Sequence, residues 1–122
     1  MINDNDIYTL YVLFGNTMHK AFEIIDSNEI ECMVCTNSKL YYYNVYGSDI
    51  YPYTTTQYYC TCPAYINSVI LGGTLYCKHQ LACMLAYALN KCKIQYINDD
   101  MYVLNMLNDR NKEFKQRQTT QL

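Results

Sequence analysis

YYCTCPAYINSVILGGTLYCKHQLA, residues 58–82, carries three of the chain's seven cysteines and one of its two histidines. They fall in two tight pairs. Cys60 and Cys62 flank a single residue, Cys77 and His79 flank another, and residues 63–76 lie between the pairs. Zinc takes four ligands at tetrahedral corners, with sulfur at about 2.3 Å and imidazole nitrogen at about 2.0 Å. In a strand, residues two apart point to the same face, so Cys60 and Cys62 project together with Cα atoms about 6.5 Å apart. A bend at Pro63 then brings the two sulfurs to chelating distance. On a regular helix, residues two apart diverge by about 200°. Cys77 is therefore expected just before a helix and His79 in its first turn. The set Cys60, Cys62, Cys77 and His79 is a complete Cys3His complement for one Zn2+, with no position left for water. Such closed sites are structural, whereas catalytic zinc keeps one position open.

Three thiolates around a dication leave the site near −1. A helix N-terminus aimed at it, with Lys78 adjacent, offsets that charge. Binding of this kind contributes roughly 10–16 kcal/mol of apparent free energy in zinc-finger peptides. That matches or exceeds the whole stability of a small domain.

The surrounding chain suits a small domain built around such a site. At 122 residues it has length for one core. Half of it is apolar and only 16% is charged, which excludes disorder and points to an apolar face covered by a partner. The net charge of −2 lacks the excess of Lys and Arg that a freestanding non-specific DNA binder carries. MINDNDIYTL has no basic residue and reads as neither a secretory nor a transit segment. No apolar run approaches the ~20 residues of a membrane span, so no membrane association is expected. The expectation is a soluble intracellular chain, where cysteines serve as ligands or buried apolar residues.

Outward from the cysteine pairs, DIYTLYVLF (6–14) predicts a first helix with Asp6 as N-cap, with a strand as the alternative for its Tyr-rich run, and Gly15 breaks it. Asn16 is expected to cap a second, with Met18, Ala21, Phe22 and Ile25 on one face. IECMVC (30–35), LYYYNVY (40–46) and TQYYCTC (56–62) read as three strands, with Pro52 marking a loop before the third. Pro63 opens a short helix, AYINSVIL, closed by Gly72 and Gly73. The longest helix is expected over residues 78–92, with Leu81, Leu85, Ala88, Leu89 and Cys92 as its apolar stripe. A last helical segment runs from Asp99 or Asp100 through Leu107. The fold class is α+β: N-terminal helices, a small antiparallel sheet of about three strands, and a Cys3His site leading into a C-terminal helix. One domain covers residues 1–110, and residues 111–122 form a polar, fraying tail.

Cys-x-Cys, a gap, then Cys-x-His is the SWIM zinc-finger signature. VLFG (12–15), CTCPAYINSV (60–69) and CKHQLA (77–82) extend the match, and over residues 7–107 the chain resembles the small SWIM zinc-finger family of homologous-recombination accessory proteins, the type to which the Shu complex SWIM subunit belongs. The resemblance places the family's zinc ligands on Cys60, Cys62, Cys77 and His79. It implies a non-enzymatic nuclear subunit that forms an obligate heterodimer with a RecA-like recombinase paralogue. Such pairs promote recombinase filament assembly on single-stranded DNA in DNA repair and recombination. It fixes no interface residue.

Other features read more simply. Cys32 and Cys35 lie three apart in a strand and so face opposite sides, which suits neither chelation nor a disulfide. Cys83, one turn after His79 and on the same face, could stand in for a lost ligand, but with four ligands already present it reads as core beside the site. Cys92 reads as core, and His19 as solvent-facing. The tyrosines of YYYNVY and QYY suit sheet packing. A base-stacking platform would have basic residues nearby, and residues 40–77 contain none. Arg110, Lys112, Lys115 and Arg117 belong to a solvated tail. Gly72-Gly73 lacks the Lys-Ser/Thr of a phosphate loop, so nucleotide hydrolysis would have to come from a partner. Three rival functions remain. A transposase-type DNA-binding SWIM module fits poorly with the acidic balance. A zinc hydrolase needs an open metal position and a nearby Glu base, and no Glu lies between Glu31 and Glu113, which leaves Asp99 or Asp100 as the carboxylates that could approach. SWIM modules of ubiquitin ligases come with a RING, which this chain lacks.

Overall fold

Asn3 begins the first helix in a computed structural model that describes residues 3–47 and 50–107. Its side chain accepts from the Asp6 N–H at 2.9 Å, and the Asp6 carboxylate accepts from the Asn3 N–H at 3.0 Å. Asp6 therefore occupies the third helical position of a capping box, where an N-cap was expected. Helix α1 runs Asp4–Phe14 and α2 runs Asn16–Asp26. Gly15 joins them at φ 55°, a left-handed value that a side chain would resist. It is the N-cap of α2, the role assigned to Asn16. Met18, Ala21 and Ile25 of α2 are buried, and Phe22 packs against them.

The sheet is larger than expected and mixed. Strands β1 (Ile30–Cys35), β2 (Tyr41–Val45), β3 (Tyr53–Thr55) and β4 (Lys93–Ile97) lie in the order β3-β2-β1-β4. The β1–β2 and β2–β3 pairs are antiparallel, with Cys32 opposite Tyr43 and Tyr43 opposite Thr55. β4 lies parallel to β1, with Cys32 beside Ile94 and Cys35 beside Ile97. The α+β class holds, but a three-stranded antiparallel sheet is corrected to four mixed strands.

Two boundary shifts explain the difference. The third strand is not residues 56–62. The chain turns at Thr56, whose Oγ1 accepts from the N–H groups of Tyr58 and Tyr59. Cys60 then returns beside Thr55 as a single bridge. The long helix, α3, is Lys78–Ala88 and stops short of residue 92. Asn90 takes φ 59°, a conformation Asn tolerates and one that ends helices. This frees Cys92 for the turn that leads into β4.

α2 and α3 pack on one face of the sheet. The core joins Met18, Ala21 and Ile25 to Leu81, Ala82, Cys83, Leu85 and Ala86, above Ile30, Cys32, Tyr43 and Val45. A helix over residues 99–107 crosses the other face, as expected for that segment. Its Tyr102 ring lies 5.6 Å from that of Tyr42, and Asn105 donates to the Tyr42 hydroxyl at 2.8 Å. Among the described residues no helix is long and apolar enough to cross a membrane. The end of the 1–110 domain, the 111–122 tail and its basic residues lie outside the described residues.

Candidate metal centre

The fold brings both pairs together. Potential ligand atoms of Cys60, Cys62, Cys77 and His79 all lie within 4.8 Å of one another, and all four residues are buried. Each arrives by a different local device. Cys60 is held beside β3 by its bridge to Thr55, and its Sγ lies 3.4 Å from the Thr55 hydroxyl. Thr61 pins the same stretch: its N–H donates to the Thr54 carbonyl at 3.1 Å, and its Oγ1 accepts from the Thr54 N–H at 3.0 Å. Cys62 comes after this bridge, at the bend into Pro63. The pair thus projects from a returning loop, not from the regular strand that the spacing suggested.

The intervening chain is a π-helix, Tyr65–Leu71. Tyr65 and Val69 pack against the three cysteines. Gly72 ends the turn where a Cβ would meet the Ser68 and Asn67 carbonyl oxygens at 2.7 and 2.8 Å. No side chain fits there, so the glycine is required by close backbone approach. The wide helix and its tight exit set where the second pair re-enters.

Cys77 is the N-cap of α3, and His79 stands in the first turn, as the spacing demanded. Gln80 completes the arrangement. Its N–H donates to Cys77 Sγ at 3.4 Å, its Oε1 accepts from the Cys77 N–H at 3.0 Å, and its Nε2 donates to the Thr56 carbonyl at 3.1 Å. This buried side chain ties the helix start to the turn that carries Cys60. Sequence reasoning passed over it. The signal was present: Cys-x-x-Gln is the capping-box spacing with sulfur in place of a hydroxyl.

The electrostatics fit a cation. Hydrogen bonds from Cys60 and Cys62 hold the Cys77 thiol far below its ordinary range, with His79 and the Gln80 N–H assisting against burial. The same contacts raise Cys60, through its hydrogen bonds to Cys62 and Cys77 and then through burial. Cys62 is relieved by Cys60 but pushed harder by Cys77 and by burial, up to about 11. Three buried sulfurs this close cannot all be anionic without a positive ion among them. Nδ1 of His79 is buried without a hydrogen-bond partner, an orphan that a metal bond would satisfy. The Tyr53 ring, 4.7 Å from the imidazole centroid, fixes the ring's tilt. Zinc there would replace the shared protons and cross-link the loop to the helix. The donor set is that of one structural zinc.

The remaining candidates separate from this centre. Cys32 and Cys35 are both buried on opposite faces of β1. Cys32 joins the main core with Cys83, and Cys92 packs against it. Cys35 lies on the other face, near Ser38 and Asp99. His19 is exposed, 3.2 Å from Glu23. A cavity of about 330 Å³ adjoins His79 and is also lined by Glu23 of α2 and by Glu29 in the connection from α2 to β1.

The sequence has relatives of known name. It is 31% identical over 117 residues to the zinc finger SWIM domain-containing protein 7 homolog of Dictyostelium discoideum, covering 93% of this chain and 75% of that protein. It is 29% identical over 115 residues to zinc finger SWIM domain-containing protein 7 of Homo sapiens, covering 92% and 81%. The Danio rerio protein of that name is 28% identical over 100 residues, covering 80% and 71%. No protein-family model matches the chain. No solved structure matches it. With a buried Cys3His centre on the SWIM spacing, and with similarity running almost end to end, the chain is a zinc-binding SWIM protein and belongs to the family of zinc finger SWIM domain-containing protein 7.

Proposed function

We propose that this chain is a non-enzymatic adaptor in recombinational DNA repair. It acts in the nucleus as a heterodimer with a RecA-like recombinase paralogue and promotes recombinase filament assembly on single-stranded DNA. The observation that carries the reading is the complete set of four protein donors. Four protein ligands, each no more than 6% exposed, leave zinc no position for a substrate or an activated water. The metal then serves to hold a surface.

A separate surface, on α1, is apolar enough to serve a partner. α1 buries none of its residues, and Tyr8, Val12 and Leu13 stand 64–72% exposed. The test is co-expression with RecA-like paralogues from the same source, followed by affinity capture and mass spectrometry. Stable co-purification at a fixed stoichiometry supports the adaptor. A chain that is soluble, folded and partnerless in every combination overturns it. Steeply salt-dependent DNA binding by the isolated chain would favour the transposase-type module instead.

A further inference from the structure

The two edges of the sheet are treated differently. The β3 edge is closed by the cysteine loop: Cys60 bridges Thr55, and the Thr61 N–H donates to the Thr54 carbonyl. The β4 edge has no such cover among the described residues. In a parallel pair, each residue turns both its N–H and its C=O to the same side, alternating along the strand. The Ile97 carbonyl accepts from Thr36, just past β1. Ile97, Gln95 and Lys93 therefore face β1, and Ile94 and Tyr96 present their N–H and C=O groups outward. Their side chains lie on the α2/α3 side of the sheet, in register with Cys32 and Val34. They lie beyond the cover of those helices, at 48% and 68% exposed. An edge strand with open backbone groups and uncovered apolar side chains is a template for another strand.

We propose that β4 pairs antiparallel with β4 of a second copy of this chain, about a two-fold axis at Gln95. KIQYI is self-complementary in that register. Ile94 lies opposite the second copy's Tyr96, and Tyr96 opposite its Ile94. These are the two positions whose backbone groups point outward, so both become hydrogen-bonded pairs and every outward group is satisfied. Each pair sets a β-branched residue against an aromatic one, a favoured cross-strand combination. Lys93 meets Ile97, so no like charges stand opposite each other. Gln95 meets Gln95 at the closer, non-hydrogen-bonded position, with Cα atoms about 4.5 Å apart. The result is one continuous sheet of eight strands. A single short strand pair buries little area, so the dimer is reversible and dependent on concentration.

The zinc-loaded full-length chain, followed by sedimentation velocity up to about 1 mM, is expected to pass from monomer to dimer. I94K/Y96K puts lysine opposite lysine twice and weakens association by about tenfold or more. I94K/Y96E puts lysine opposite glutamate in the same register and restores it. Gln95→Cys is expected to cross-link two chains under mild oxidation, at a spacing that suits a disulfide, and Ile94→Cys is not. The last pair of variants is decisive even if the charged variants disturb the fold. A wild-type chain that stays monomeric throughout, or cross-linking no faster at 95 than at 94, overturns the proposal. Loss of a heterologous partner from I94K/Y96K with no self-association of the wild type also overturns it, by assigning the edge to a partner's strand. Failure here leaves the adaptor reading intact, since that rests on capture of a RecA-like protein.

Discussion

Cys60, Cys62 and Cys77 gather beside β3, and Cys32, Cys83 and Cys92 gather in and against the main core. Both groups are largely buried thiols, and their environments differ in kind. Around the first stand a histidine with an orphaned nitrogen, a threonine hydroxyl at 3.4 Å from Cys60 and a helix N–H aimed at Cys77. Around the second are aliphatic side chains and the Tyr43 ring. Burial, then Cys92, pushes Cys32 up to about 11, with a hydrogen bond to Tyr43 opposing. Burial also raises Cys83. Burial alone makes a thiol a small apolar residue. Burial with directed polar groups and a fourth donor makes it a ligand.

The sharpest way to break this contrast is to remove a ligand from one group and its counterpart from the other. Cys77→Ser, or prolonged chelation, is expected to release the zinc and unfold the neighbourhood of the site, a loss of more than about 4 kcal/mol. Metal content by mass spectrometry and the thermal midpoint by circular dichroism measure it. Cys83→Ala should keep one zinc per chain and cost about 1 kcal/mol through a small cavity. Retained stability and partner binding in metal-free Cys77→Ser would remove the structural role of the site.

The same contrast predicts a pH dependence confined to the first group. Without metal, hydrogen bonds from Cys60 and Cys62 hold the Cys77 thiol down, while the same contacts and burial push Cys60 and Cys62 up, so the second and third protons of the cluster are the ones held most tightly. Zinc must displace about two protons, so affinity rises with pH and falls by about 100-fold for each unit of acidification near neutrality. Competition against a chelator of known affinity between pH 6 and 8 reads the slope. A slope near zero would mean that the cluster is already ionised.

A smaller effect tests the second group. Cys83→Ser places a hydroxyl in the core in place of a weakly polar thiol. It should cost about 1–3 kcal/mol, more than Cys83→Ala although serine is nearer in shape to cysteine. Urea denaturation of the two zinc-loaded variants decides it. If serine is the milder change, Cys83 itself has a polar partner in the core.

The centre was more legible in the sequence than the sheet around it. Ligand spacing is local chemistry: Cys77 before a helix and His79 in its first turn follow from the geometry of two residues on a helix. Strand pairing is not local. β4 is defined by β1, about sixty positions earlier, and KIQYI carries only Ile94 and Tyr96 in alternation before Ile97 follows. The end of α3 had a readable mark in Asn90, but the apolar repeat through Leu89 and Cys92 outweighed it. β3 was misplaced because TQYYCTC has strand composition throughout. Its Thr56 spends its hydroxyl on a turn, a use that composition does not reveal.

Gln80 gives the finest test of how the first group is held. It is not a ligand, yet it bonds the Cys77 backbone, the Cys77 sulfur and the Thr56 carbonyl. Gln80→Ala removes the side-chain half of the capping box and the link between the start of α3 and the turn that carries Cys60, while the N–H to sulfur bond survives in the backbone. The expected cost is about 1–2 kcal/mol, with zinc stoichiometry unchanged and zinc release faster. Gln80→Glu retains the acceptor for the Cys77 N–H but turns the donor toward Thr56 into a second acceptor. It also adds negative charge beside a site already near −1. It should therefore release zinc faster than alanine does, although glutamate is the nearer isostere. If glutamate matches the wild type, the Thr56 link contributes nothing, and the turn alone positions Cys60 and Cys62.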